Sequence, residues 1–249
     1  MWSRLAVGTD FQLYLFIGTV MALAATLQSI MGFGFNLLAA PLLIAFLKEP
    51  SQVVPALHLS WLILGLVICL RSRRMISPNR IIYWIAAAFP GAIVGVWLLE
   101  SANPTILGRF IGTITIAATL LVGFKAARPL KRERPWMIAA GGLSGVLGGC
   151  TGMSGPPLVL LGLTQGWPTA RFRADLLAYF TLLSFIAVLM YWWKNLLTAT
   201  SLGYAAAGAP GLAIGFVVGA VAAKHISGDR FRYAAIGVIC VSGLAPWLV

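Results

Sequence analysis

Ser144–Leu160 reads SGVLGGCTGMSGPPLVL. It is apolar at both ends, uncharged throughout and almost bare of side chains in its middle. Gly148, Gly149, Gly152 and Gly155 are expected to break a helix there, and Pro156-Pro157 cannot continue one from upstream. Leu27–Leu42, LQSIMGFGFNLLAAPL, carries the same parts in the same order: an apolar run, Gly32-x-Gly34, small or polar residues, then Pro41-Leu42 answering Pro157-Leu158. Unwound backbone inside an apolar segment is costly unless it lines a cavity. A pair of such breaks, one in each half of a chain, points to a transporter's binding site.

Composition supports a membrane setting. Of 249 residues, 60% are hydrophobic and only 10% charged, whereas soluble domains average about 45–50% and roughly 25%. The length allows about ten helical segments of about 20 residues and leaves no room for a second soluble domain. The formal charge of +12 does not indicate nucleic acid, because the basic residues cluster at the ends of apolar runs, as the positive-inside rule requires. Cys69, Cys150 and Cys240 stand in separate apolar contexts without metal spacing, so neither a disulfide framework nor a metal site is expected. No cleaved signal peptide is evident at the N-terminus, and no cofactor motif is present. A Walker motif is also lacking, so ATP coupling within the chain has no support.

The apolar runs give a first repeat over 1–124, with a glycine-broken hairpin at 11–47 and spans at 53–70, 81–99 and 105–124. A basic loop follows at 125–135. The second repeat covers 136–249, with a hairpin at 136–163 and spans at 175–193, 202–223 and 233–248. Pro90-Gly91-x-x-x-Gly95 answers Pro210-Gly211-x-x-x-Gly215, a spacing that lets helix backbones approach closely. The offset between matches drifts from 116 at Pro41/Pro157 to 118 at Pro50/Pro168 and 120 at Pro90/Pro210, as short insertions in a second copy would produce.

Loop charge gives the orientation. The loops at 71–80, 125–135, 164–173 and 224–232 are all basic and are assigned to the cytoplasmic side. The segment 136–163 then begins and ends inside, while 11–47 begins and ends outside. The expected fold is therefore an all-α integral membrane protein of two inverted-topology repeats, each a glycine-broken helical hairpin followed by three transmembrane helices. Loop charge leaves open whether the hairpins cross fully or stop midway.

A hairpin tip inside the bilayer leaves backbone N–H groups unpaired at the start of its second arm, and the helix dipole makes that end positive. Two such ends meeting at the midplane form an anion site without a formal cation. The expected substrate-binding residues are Gly32, Gly34, Asn36, Gly148, Gly149, Cys150, Thr151, Gly152 and Ser154. The glycines allow close approach, and Asn36, Thr151, Ser154 and (weakly) Cys150 add donors. The competing explanation is that the glycines only permit tight helix packing. His58, two turns into a span, is a candidate for proton traffic or a neutral packed histidine. Gln28 precedes the first break and suits either the site or a helix–helix hydrogen bond. Asp175 is expected to pair locally with Arg171 or Arg173, with a polar or proton role as the alternative.

The stretches Gly32-Phe33-Gly34-Phe35-Asn36…Pro41-Leu42 and Gly145-Val146-Leu147-Gly148-Gly149-Cys150-Thr151-Gly152…Pro157-Leu158 resemble the paired glycine-rich signatures of the TauE/SafE sulfite exporter family, and the resemblance extends over nearly the whole chain. Cys150-Thr151-Gly152 stands where that family commonly has three glycines. The resemblance implies a membrane protein for export or uptake of sulfite, sulfonates or related organic anions. Together with the paired breaks, it gives a secondary transporter (exporter or facilitator) of such organosulfur anions, not an enzyme, working by alternating access in a bacterial inner (plasma) membrane. The implied partners are a small anionic substrate and the lipid bilayer, with no nucleic acid, and a homo-oligomer is allowed. Two alternatives stand beside it: a membrane-embedded enzyme using Cys150, for which no convincing base is in view, and a non-transporting membrane assembly protein.

Overall fold

In the computed structural model, residues 3–123, 130–222, 239 and 241–248 are described. Described helices are α1 (Ser3–Met31), α2 (Phe35–Leu47), α3 (Pro50–Ser72), α4 (Pro78–Ser101), α5 (Pro104–Gly123), α6 (Glu133–Thr151), α7 (Gly155–Gln165), α8 (Thr169–Trp193) and α9 (Ala199–Ala222). A further helical stretch covers 241–248, and no strand occurs among the described residues. Prolines at 50 and 78 occupy first-turn positions, where a missing N–H removes no intrahelical bond. Five helices, α1 from Phe11, α3 to Leu70, α4, α8 and α9, are long and apolar enough to cross a membrane. This is an integral membrane protein. Residues 125–129 of the basic loop at 125–135, the loop at 224–232, Cys240 and residues 233–238 of the span at 233–248 lie outside the described residues.

Helices α1 and α2, and helices α6 and α7, each pack together as a helical hairpin. Their second arms have 13 and 11 residues, about 20 and 16 Å at 1.5 Å per residue, too short for a core about 30 Å thick. Pro41 lies inside α2, and its lack of N–H frees the Leu37 carbonyl. The Ser242 hydroxyl, whose one hydrogen goes chiefly to the Ile239 carbonyl at 2.7 Å, lies 3.3 Å from the Leu37 carbonyl.

The second break is narrower than the glycines suggest. Helix α6 continues through Gly148 and Gly149 to Thr151, and only 152–154 are unwound. Gly148 and Gly149 are packing residues: a Cβ on Gly149 would lie 2.7 Å from the Ala92 carbonyl, and one on Gly148 would lie 2.8 Å from Leu183 Cδ2. The same close approach runs the length of α4 and α6. Cβ atoms added at Gly141 and Gly145 would lie 2.7 and 2.2 Å from the Trp84 and Ala88 carbonyls. Rising numbers on both helices show that α4 and α6 run parallel.

The α1–α9 contact is built alike. Cβ atoms added at Gly211, Gly215 and Gly219 would lie 1.9, 2.0 and 2.6 Å from the carbonyls of Gly18, Ala22 and Thr26, so α1 and α9 also run parallel. The Ser29 hydroxyl donates to the Phe216 carbonyl across this seam, and the Thr26 hydroxyl shares its hydrogen between the Ala22 carbonyl of its own helix at 2.8 Å and the Gly215 carbonyl at 3.0 Å. Each hairpin's first arm is thus fixed to a span from the opposite half of the sequence. The Pro-Gly-x-x-x-Gly elements at 90–95 and 210–215 are the glycine faces of these two seams.

Helices α4 and α8 are joined near both ends. Lys194 pairs with Glu100 at 2.9 Å near their C-termini, and Arg80 pairs with Asp175 at 3.0 Å near their N-termini. Asp175 therefore does not pair with Arg171 or Arg173. Its fully buried carboxylate accepts from Arg80 and from the Ser77 backbone N–H at 2.6 Å, which satisfies both oxygens and holds the start of α4. Arg80 also stacks on Trp167, 4.2 Å from the ring centroid. Arg173 instead reaches the first hairpin, donating to the Ser29 carbonyl at 2.8 Å.

Candidate functional site

The hairpin tips meet. Asn36 Nδ2 donates to the Gly152 carbonyl at 2.5 Å. Gly32, Gly34 and Gly152 have φ of 84°, 110° and 75°, left-handed values that an L side chain rarely adopts; these three glycines are what allow the chain to turn.

Each tip is braced from its own first arm. Gln28 Oε1 accepts from the Phe35 N–H at 3.0 Å and its Nε2 donates to the Gly32 carbonyl at 3.1 Å. Gln28 is thus a brace whose amide is engaged at both ends, and it takes one of the free N–H groups at the start of α2. In the second hairpin the Ser144 hydroxyl donates to the Ser154 carbonyl and accepts from Tyr179 Oη at 2.8 Å.

Between the tips lies a cavity of about 40 Å³ lined by Gln28, Gly34–Leu37, His58, Trp61, Gly152–Gly155, Phe180 and Ser184. That volume is above the roughly 10–15 Å³ needed to hold a single water and is the scale of a small oxyanion. None of its lining residues is Asp, Glu, Lys or Arg. The N–H groups of Asn36 and Leu37 lie in the first turn of α2, where helix geometry provides no acceptor. The start of α7 is poorer in donors, because Pro156 and Pro157 have no N–H; Gly155 is the first-turn donor there. Asn36 Oδ1 is buried without a hydrogen-bond partner.

Gly34, Asn36, Gly152 and Ser154 come together at this cavity, as do Gln28 and His58. Gly32, Gly148, Gly149, Cys150, Thr151 and Asp175 do not line it. Gly32 packs beneath the Arg173 side chain, where a Cβ would lie 2.5 Å from Nε. Thr151 Oγ1 donates to the Leu147 carbonyl at 2.6 Å and accepts from the Met153 N–H at 3.1 Å, so its hydroxyl closes the helix end. Cys150 is fully buried, with its thiol 3.8 Å from the Leu147 carbonyl.

His58 is fixed by two hydrogen bonds: Nε2 to the Gly148 carbonyl at 2.9 Å and Nδ1 to Ser184 Oγ at 3.0 Å. A carbonyl only accepts, so Nε2 carries the hydrogen and Nδ1 accepts from Ser184. Ser184, Trp61 and Phe180 were not visible as site residues in the sequence: a lone serine and two aromatics in apolar spans carry no motif. Their only signal is position, since Trp61 and Phe180 stand 119 apart, close to the repeat offset, with ring centroids 6.5 Å apart across the cavity wall.

Residues 17–245 match the family model described as Sulfite exporter TauE/SafE. A similar relative is the "Probable sulfite/organosulfonate exporter TauE" of Cupriavidus necator, 26% identical over 233 residues that cover 89% of this chain and 88% of that protein. No solved structure matches the chain.

Proposed function

The chain belongs to the sulfite exporter TauE/SafE family, and on that premise we propose that it carries sulfite, sulfonate or a related small organosulfur anion across the plasma membrane by alternating access between two inverted repeats. The observation that carries this reading is the uncharged cavity where the two hairpin tips touch, faced by the start of α2 and the start of α7. Helix N-termini hold an anion through backbone N–H groups and the dipole, without the cost of burying a lysine or arginine. A volume of about 40 Å³ favours a compact sulfur oxyanion over a long-chain sulfonate.

Pseudo-symmetry of the contacts supports the inverted repeats. Helix α1 of the first half packs in parallel on α9 of the second, and α6 of the second packs in parallel on α4 of the first. These glycine seams make α1 with α9 one body and α4 with α6 another, and the Arg80–Asp175 and Lys194–Glu100 pairs carry α8 with the second. The tips separate between the two bodies.

Cys150 has no access to the cavity, and His58 is engaged with Gly148 and Ser184 rather than with the thiol; these contacts favour transport over a Cys150-dependent enzyme. Purified protein in liposomes, given a panel of sulfite, short sulfonates and carboxylates, tests the proposal. Saturable flux of the sulfur anions is expected, and flux of none of them overturns it.

A further inference from the structure

The cavity must accept an anion's charge, yet no cationic side chain lines it. Resting on the anion-transport reading above, we propose that His58 and Ser184 form a proton site through which each anion's passage is coupled to one proton. The hydrogen-bond directions give the mechanism. With Nε2–H held by the Gly148 carbonyl, Nδ1 is the only basic position on the ring, and the Ser184 hydroxyl hydrogen points at it. Ser184 also lines the cavity. A proton arriving from the cavity is taken by Ser184 Oγ while the serine's own proton passes to Nδ1. The bond then reverses: Nδ1–H donates to Oγ, and the serine hydrogen turns into the cavity as a new donor to the anion. The imidazolium's positive charge lies beside the anion's negative one, and the site as a whole is neutral.

Groups facing His58 do not compete for this role. From α8 they are Ser184 and Tyr191, whose ring centroid is 5.7 Å away and whose hydroxyl donates to the Gly149 carbonyl. From α6 they are the Gly148 carbonyl and, beyond Tyr191, the buried thiol of Cys150. Across the cavity stand the amides of Gln28 and Asn36 and the hydroxyl of Ser154. The pair is also placed to couple to movement. His58 is on α3, Ser184 on α8, and Gly148 on α6, the first arm of the second hairpin, so a single imidazole ties α3 to both α8 and α6. Displacing α6 breaks the Nε2 bond, which changes the proton affinity of the ring as the site opens.

Methanesulfonate is a suitable probe, because its charge does not change between about pH 5 and 8, the range in which histidine titrates. Wild-type protein in liposomes is expected to move one proton with each methanesulfonate and to transport faster as pH falls. His58→Gln and Ser184→Ala are expected to slow flux about tenfold and to abolish both proton movement and pH response, while Ser184→Thr restores them. Proton movement that persists in Ser184→Ala, or a pH response that survives in His58→Gln, overturns the proposal. So does wild-type flux without protons, which leaves the anion site standing. Wild-type protein that moves no anion removes both.

Discussion

Asn36 Nδ2 donates to the carbonyl of Gly152, and the two residues are 116 positions apart, the same offset that relates Pro41 to Pro157. The equal offset does not make them structural counterparts: Gly152 ends α6 as Gly32 ends α1, whereas Asn36 lies in the first turn of α2. The bond joins the start of one hairpin's second arm to the end of the other hairpin's first arm. This hydrogen bond is the latch between the tips. Asn36→Ala leaves the Gly152 carbonyl without its partner, which is expected to cost about 1–3 kcal/mol and lower the thermal midpoint by roughly 3–10 °C. A thermal melt in detergent checks it; an unchanged midpoint would show that the tips are held by other contacts.

The glycine seams make a sharp distinction between neighbours. Gly145 faces α4 so closely that a Cβ would lie 2.2 Å from the Ala88 carbonyl, whereas a Cβ on Gly142 would lie at an ordinary 3.7 Å from the Ala87 carbonyl. Gly145→Ala is expected to destabilise by about 1–3 kcal/mol or more through forced separation of the helices. Gly142→Ala is expected to be neutral or stabilising by up to about 1 kcal/mol, the helix-propensity difference. Parallel melts of the two variants decide it, and equal loss in both would mean the seam is not what limits α6.

Arg80 and Asp175 form a buried cross-link rather than a transport element. Arg80→Leu strands a carboxylate that has no exposed surface, at an expected cost of about 3–5 kcal/mol. The double variant Arg80→Leu with Asp175→Leu is expected to recover most of that loss, because an apolar pair removes the unpaired charge. A double variant no more stable than the single would contradict this assignment.

The two ion pairs set the ends of α4 and α8 level with each other, and loop charge assigns the faces. Glu100 and Lys194 should lie on the outer face, with Arg73, Arg128 and Arg171 on the cytoplasmic face. Impermeant thiol labelling of single cysteines at these positions, in a chain lacking Cys69, Cys150 and Cys240, checks the assignment. Labelling of positions 128 and 171 from opposite faces would contradict a second hairpin that enters and leaves on one side.

Much of this fold is legible in the residues because glycine and proline carry local meaning. Gly32-x-Gly34 and Gly152 mark the turns through left-handed backbone that they alone adopt readily, and prolines mark helix starts. The same logic misled at Gly148 and Gly149, where glycine serves a helix–helix seam instead of a break; sequence alone does not separate the two uses. The partners of His58 lie 90 and 126 positions away, and Asp175 binds Arg80 from the other half of the chain. Such pairings depend on which faces of which helices meet, and no spacing along one helix encodes that. Thr151 and Cys150 have suitable donors but face inward, a rotation about the helix axis that only packing decides.

The central claim is that an anion is held in the cavity between the tips. Gly155 tests it better than Gly34 or Gly152, whose positive φ would confound occlusion with backbone strain. Gly155 lines the cavity without a positive φ, and a Cβ there meets Phe180 at an ordinary 3.4 Å. The decisive measurement is sulfite flux into liposomes by Gly155→Val beside wild type, with thermal midpoints matched. The two γ-methyls should fill the cavity, so flux is expected to fall at least about a hundredfold (about 2.7 kcal/mol) while the midpoint holds. Normal sulfite flux through Gly155→Val would contradict the claim and place the anion's path elsewhere.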